Sequence, residues 1–137
     1  MDCVFCRIAG GALPAHRLCE DERVLAFLDI QPGTPGHTLV IPKAHAGTFL
    51  DLPPADRDAV FATAQRVAAA LMAETVAEGF NLHQSNGPAA GQVVPHFHLH
   101  ILPRWQGDGL KGPWRPGTAP EAELAALAQR LAGRLRA

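Results

Sequence analysis

A chain of 137 residues, 47% of them apolar, is long enough for one domain around one core, and residues 1–137 are read as a single unit. A formal net charge of −1 gives no basic field for gripping a nucleic-acid backbone, although Arg104, Lys111 and Arg115 are candidates for a small basic cluster. No stretch approaches the ~20 apolar residues that cross a bilayer, the first residues lack a signal-peptide core, and an odd count of cysteines (Cys3, Cys6, Cys19) favours reduced thiols in a cytoplasmic protein.

Residues 16–20 and 23–29 read as two short strands reversed at Asp21 and Glu22. QPGTPG (31–36) is loop by composition, and HTLVIPK (37–43) is a third strand stopped by Pro42. Over 54–77, Val60, Ala64, Val67, Leu71 and Thr75 recur at three and four residues, the period of a helix packed on one side, with Gly79 as its terminator. A fourth strand occupies 80–83, a loop 85–91, and a fifth strand 92–102. Thr118-Ala-Pro-Glu121 has the spacing of a capping box. Leu124, Leu127, Leu131 and Leu135 then mark the apolar stripe of a C-terminal helix, with Arg134 and Arg136 at its favourable end. The short loops and the single interposed helix predict an α+β fold with a mainly antiparallel five-stranded sheet, a central helix and a C-terminal helix.

Within VVPHFHLHILPRW (93–105), histidines stand at 96, 98 and 100. Alternate side chains of a strand share a face, so three imidazoles line one side while Phe97, Leu99 and Ile101 enter the core. A polar strand face with no further purpose is the plain alternative. One metal held by all three is excluded: the outer Cα atoms lie ~13 Å apart at about 3.3 Å per residue, too far to close around ligand bonds of about 2 Å. Nucleophilic catalysis fits better. Imidazole is mostly neutral at pH 7, and its lone pair can attack phosphorus, splitting one difficult step into two. His98, flanked on both sides, is the natural nucleophile. Upstream, Asn86, Gly87 and Gly91 can turn backbone N–H groups toward an anion, and Gln92 adds a side-chain donor, although such a loop is also a simple turn. Cys3-x-x-Cys6 has the spacing of half a zinc knuckle; two reduced thiols flanking Phe5, or a redox pair, share that spacing. Cys19 reads as a small strand residue.

His96-Phe97-His98-Leu99-His100-Ile101-Leu102 resembles the signature of the histidine triad family, His-φ-His-φ-His-φ-φ with φ apolar. RVLAFLDIQPGTPGHTLVIPKAH (23–45) is similar to the family's N-terminal half and NGPAAGQVVPH (86–96) to its phosphate loop, so the resemblance covers roughly residues 3–105 and leaves 106–137 as a C-terminal extension and helix. It implies a hydrolase or nucleotidyl transferase acting at the α-phosphate of a purine nucleoside 5′-phosphoramidate, adenylylated amine or dinucleoside polyphosphate, in a homodimer whose sheet runs across the interface. By the resemblance, His98 is the nucleophile that forms a nucleotidyl-histidine, His100 contacts the phosphate and His37 supports the site. Asp29 holds the ribose hydroxyls, and Phe5, Ile8, Leu13, Phe27 and Ile30 line the base pocket. Ser85, Asn86, Gly91, Gln92 and Val93 surround the phosphate. From sequence alone the apolar five read equally as plain core, and Asp29 as a turn residue.

Two departures stand out. Relatives often carry Asn or Gln at the position of Ser85 and Ser or Thr at that of Val93, which points to a low-turnover nucleotide-binding or protein-interaction dimer as the alternative function. Cys3, Cys6, His45 and His96 resemble the set that a bacterial subgroup uses for a closed, structural zinc ion, and the proposed chemistry requires no catalytic metal. Trp114, in the C-terminal segment, either reaches a neighbouring subunit or packs within its own.

Overall fold

Parity along the strands sorts the molecule into a helical face and a site face. The structure, a computed structural model, describes residues 2–110 and 112–136, so Lys111 of the basic cluster lies outside the described residues. Strands β1 (Arg17–Glu20), β2 (Val24–Leu28), β3 (Thr38–Pro42), β4 (Gly79–His83) and β5 (Leu99–Arg104) form one antiparallel sheet in the order β1-β2-β3-β5-β4. The β1–β2 reversal is held by Asp21, whose Oδ1 accepts from the N–H groups of Arg23 and Val24 at 2.7 and 2.9 Å. A short carboxylate that captures its own following backbone is what fixes such a turn.

Val24, Ala26 and Leu28 of β2, Val40 of β3, and Leu99 and Ile101 of β5 point to one side. There Val60, Ala64, Val67 and Leu71 of helix α2 (Pro54–Thr75) and Leu124, Ala128 and Leu131 of helix α3 (Glu121–Arg136) bury them. The α+β architecture with central and C-terminal helices is as the sequence predicts. On the other side, Leu25 and Phe27 of β2 and Leu39 and Ile41 of β3 lie under a short helix α1 (Val4–Ala9), packed against Cys3, Phe5 and Ile8.

Four local expectations are corrected. Helix α1 is an addition: Cys3 caps it by accepting the Cys6 N–H at 3.4 Å, and the three-residue spacing of Phe5 and Ile8 gives it one buried side. Helix α2 is ended by Val76, which takes φ 54° and ψ 37°, a left-handed conformation that is unusual for a β-branched residue; Gly79, the expected terminator, opens β4 instead. Strand β5 begins at Leu99 rather than at 92, because the backbone before it finds other partners: His96 N–H bonds Val94 C=O at 2.9 Å and Phe97 N–H bonds Ala46 C=O at 2.7 Å. The capping box does not form in its expected register. Ala119 precedes a proline and is disfavoured in helical conformation, so α3 starts at Glu121, with the Pro120 carbonyl accepting from Leu124 N–H at 3.1 Å. Glu121 instead meets His16 Nε2 at 3.1 Å.

Candidate active site

Strand ends and register gather the polar residues. Asp29 follows β2 and His37 precedes β3; Asp29 N–H bonds His37 C=O at 2.9 Å and ties the two ends together. On the paired strands Phe27 lies opposite Leu39, Leu39 opposite His100, and His100 opposite His83. His98 joins from the segment before β5, its ring 4.8 Å from that of His100.

The bonding partners assign the tautomers. Gly33 N–H donates to His37 Nδ1 at 2.9 Å, so the His37 proton is on Nε2. That Nε2–H donates to His100 Nδ1 at 2.8 Å, which leaves the His100 proton on its own Nε2. His98 Nδ1 is 2.7 Å from the His96 carbonyl oxygen, which can only accept. The His98 proton is therefore on Nδ1, and Nε2 keeps a free lone pair. The His96 carbonyl thus sets a nucleophilic nitrogen on His98, and the separate Gly33–His37 relay sets a neighbouring N–H donor on His100.

Burial keeps these rings neutral. It pushes His37 down to about 4, with His83 and His98 adding repulsion. It drives His100 far below the usual imidazole range, with repulsion from His98, His37 and His83. His98 is lowered by burial, opposed by its bond to the His96 carbonyl and by Asp29. Asp29 is raised by burial, opposed by the Gln31 N–H, which donates to its Oδ1 at 2.8 Å. Asp29 thus also serves as a turn residue, while its Oδ2 lies 3.7 Å from His37 Nε2.

The His37 shift has a sign. An unfolded imidazole takes its proton near pH 6.5 and folded His37 near 4, so between those values the unfolded chain binds more protons and stability falls as the pH falls. We expect His37→Asn to remove on the order of 2 kcal/mol of this acid sensitivity. Denaturant melts at pH 6.5 and pH 4 would show it, and equal pH slopes in the two proteins would refute it.

The phosphate loop is built differently from expectation. Gln92 is buried; its Nε2 donates to Gly47 C=O at 2.7 Å and Val94 C=O at 3.0 Å, and its Oε1 accepts the Gly87 N–H at 2.7 Å. Its amide shapes the loop and is not a free donor. Asn86 is likewise engaged, accepting from Phe49 N–H at 2.7 Å and exchanging bonds with Gln84, so it does not substitute for a donor at Ser85. Gly87 and Gly91, at φ 87° and 92°, allow the tight turn between them. Val93 projects into solvent at 89% exposure, and among the described residues no acceptor meets its N–H.

Phe5 links the apolar cluster to the imidazoles: its ring stands edge-on to Phe27 at 5.7 Å and to His98 at 5.1 Å. Ile8 is buried beside it, and Leu13 lies at the margin. Ile30 stands apart at 64% exposure. The triad does not form one open row. His96 is completely buried and leaves the row; its Nε2–H donates to Pro42 C=O at 2.8 Å. Its Nδ1 lone pair faces Cys3 Sγ at 3.3 Å and Cys6 Sγ at 3.5 Å, and Cys6 Sγ lies 3.3 Å from His45 Nδ1. These four ligand atoms all lie within 4.8 Å of one another. Two thiols and two imidazoles, one with its lone pair already aimed at the sulfurs, fit a closed tetrahedral metal site.

Two residues of this neighbourhood were not singled out as site residues from sequence. His83 arrives through the β4–β5 register. Trp114 lies within its own chain, its ring 4.8, 4.9 and 5.3 Å from those of His83, His100 and His37. It covers Gly33, where a Cβ would come within 2.6 Å of the indole.

A family model described as the HIT domain matches residues 11–107. A Zn-bound histidine triad family protein from Mycobacterium smegmatis superposes with a TM-score of 0.88 at 41% identity, covering 99% of this chain and 94% of that one. An adenosine 5′-monophosphoramidase of Schizosaccharomyces pombe is 34% identical over 99% of this chain and 100% of its own length. An adenylylsulfatase of Arabidopsis thaliana is 42% identical over 80% of this chain and 55% of its own length.

Proposed function

Because the chain belongs to the histidine triad (HIT) family, we propose that it is a nucleotide hydrolase or nucleotidyl transferase acting at the α-phosphate of a purine nucleoside 5′-phosphoramidate, adenylylated amine or dinucleoside polyphosphate. The observation that carries this reading is the tautomer of His98, whose Nδ1–H is held by the His96 carbonyl so that Nε2 is free. In the first step that lone pair forms a bond to phosphorus, and the bond to the leaving group breaks with its electron pair, a departing amine taking up a proton from solvent. His100 Nε2–H donates to a phosphoryl oxygen, and the His37 bond behind it fixes that orientation. Water then forms a P–O bond, the electron pair returns to Nε2, and the proton passes to solvent. Phe5 and Phe27 would stack the base, with Asp29 on the ribose. The phosphoramidase and adenylylsulfatase relatives support cleavage at such a phosphate. The test is a substrate panel of adenosine phosphoramidate, adenylyl-lysine and diadenosine polyphosphates, read by turnover and by the intact mass of a trapped nucleotidyl adduct. Neither turnover nor adduct with any member would leave the binding-dimer reading, which Val93, lacking a hydroxyl, favours.

Cys3, Cys6, His45 and His96 are proposed to hold a structural zinc ion that ties α1 to the segment before β5; the donor set and the zinc-bound relative support this. The bound ion would supply a fixed tetrahedral link and take no part in the chemical step.

A homodimer is proposed through the outer strand β4 and helix α2. Phe61 and Met72 of α2 and Phe80 and Leu82 of β4 line an apolar groove of about 780 Å³, with Phe61, Phe80 and Leu82 at 40%, 44% and 50% exposure. An unpaired strand edge beside exposed aromatic surface invites a second copy. We expect Leu82→Asp to halve the mass seen by analytical ultracentrifugation; a wild type that sediments as a monomer would refute the interface.

A further inference from the structure

His83 is exposed and is used by no step above, yet its position is specific. It lies directly opposite His100, with ring centroids 5.7 Å apart, and its Nε2 is 3.1 Å from Ser85 Oγ. Phe27, Leu39, His100 and His83 form one lateral row across β2, β3, β5 and β4. Neighbouring strands are about 4.8 Å apart. The row therefore runs from the apolar cluster at Phe27, past the phosphate-facing His100, to His83 one strand farther on. A nucleotide lying along it, base at Phe5 and Phe27 and α-phosphate at His98 and His100, has the His83–Ser85 pair beyond its phosphate.

The chemistry of that end suits an oxyanion. His83 can give an N–H and Ser85 an O–H: His83 Nε2–H donated to Ser85 Oγ leaves the hydroxyl hydrogen free for a ligand. The indole of Trp114 stands 4.8 Å from the His83 ring, edge to face, and covers that end of the row. Among the described residues no carboxylate pairs with His83, so an ammonium group would find no counter-charge there.

We propose that His83 and Ser85, roofed by Trp114, form a leaving-group subsite for an oxyanion, so that substrates carrying sulfate or phosphate on the α-phosphorus are preferred over those carrying an amine. The proposal rests on the reading of His98 and His100 given above. As His98 Nε2 bonds to phosphorus, the P–O bond to the sulfate or phosphate breaks. Its electron pair stays on the departing oxygen, where the Ser85 hydroxyl, oriented by His83, meets it.

The test compares wild type, His83→Leu and His83→Gln on adenosine 5′-phosphosulfate, adenosine 5′-diphosphate and adenosine 5′-phosphoramidate. Wild type is expected to favour an oxyanion substrate, and the sulfate and phosphate arms show which. In His83→Leu the ratio of kcat/KM for that substrate to kcat/KM for the phosphoramidate should fall about tenfold, the loss of one hydrogen bond to a charged group. Gln, which keeps a donor, should restore part of it. A wild-type preference for the phosphoramidate, or equal losses on all three substrates, would overturn the proposal. If wild type turns over none of them, the hydrolase reading fails on its own. The subsite is then decided by titrating inorganic sulfate and phosphate while following imidazole NMR signals, with those of His83 assigned from His83→Leu. Movement of the His83 signals supports the subsite, and their constancy overturns it.

Discussion

Replacing His98 with alanine or asparagine is expected to lower turnover by more than about 10⁴-fold, the scale on which loss of a covalent nucleophile is felt. The two substitutions separate two functions of one ring. His98 Nδ1–H is anchored on the His96 carbonyl at 2.7 Å, while Nε2 keeps its lone pair on a ring 4.8 Å from that of His100. Asparagine can still donate an amide N–H to that carbonyl, so it keeps the anchor but offers no nitrogen lone pair. Alanine loses both. If attack by Nε2 is the essential event, the variants should be equally inactive, and neither should gain the mass of a nucleotidyl group. His100→Ala should fall less, by about 10²–10³-fold, because it removes one donor to the developing charge and leaves the nucleophile in place. Turnover in either His98 variant within tenfold of wild type would end the covalent reading.

If Cys3, Cys6, His45 and His96 hold zinc as proposed, removing it is expected to cost the fold nearly as much as His98 costs the chemistry. An ion present at a thousand times its dissociation constant stabilises the native state by about 4 kcal/mol. For a chain of this size that corresponds to a fall in Tm of about 10 °C on chelation. Cys6→Ala should show the same fall without chelator, and elemental analysis of untagged protein should find one zinc per chain in wild type and none in the variant. The damage should not stay at the cluster. His96 gives its ring to Cys3 and Cys6 and its carbonyl to His98, and Phe5, between the two cysteines in sequence, stands edge-on to the His98 ring. Releasing α1 therefore loosens the nucleophile from two sides. Metal-free wild type with an unchanged Tm would sink this expectation.

Much of the architecture was legible because it follows local periodicity. Alternation sent Phe97, Leu99 and Ile101 to the core, and spacing of three and four sent Val60, Ala64, Val67 and Leu71 against the sheet. Regular repeats dictate faces, and faces dictate layers. What escaped depends on partners distant in sequence. The alternation at 96–100 alone sets three imidazoles abreast; it took the family resemblance, not the spacing, to join His96 to Cys3 and Cys6, whose thiols it meets in the interior. Gln92 read as a side-chain donor for an anion because side-chain chemistry alone cannot show that Gly47 and Val94 lie within reach. His83 carried no motif; only the strand register, set across the irregular segment between β4 and β5, puts it opposite His100. Thr118 to Glu121 matched a capping pattern whose start Pro120 displaced.

Phe27, Leu39, His100 and His83 stand abreast on separate strands rather than strung along one. The distance between the rungs is consequently a gauge set by peptide hydrogen bonds, and no side-chain exchange can rescale it. Mutation can alter only what each rung grips. Under the subsite proposed for His83, such a ladder would let the outermost rung trade one departing group for another while the inner rungs keep hold of the same nucleotide.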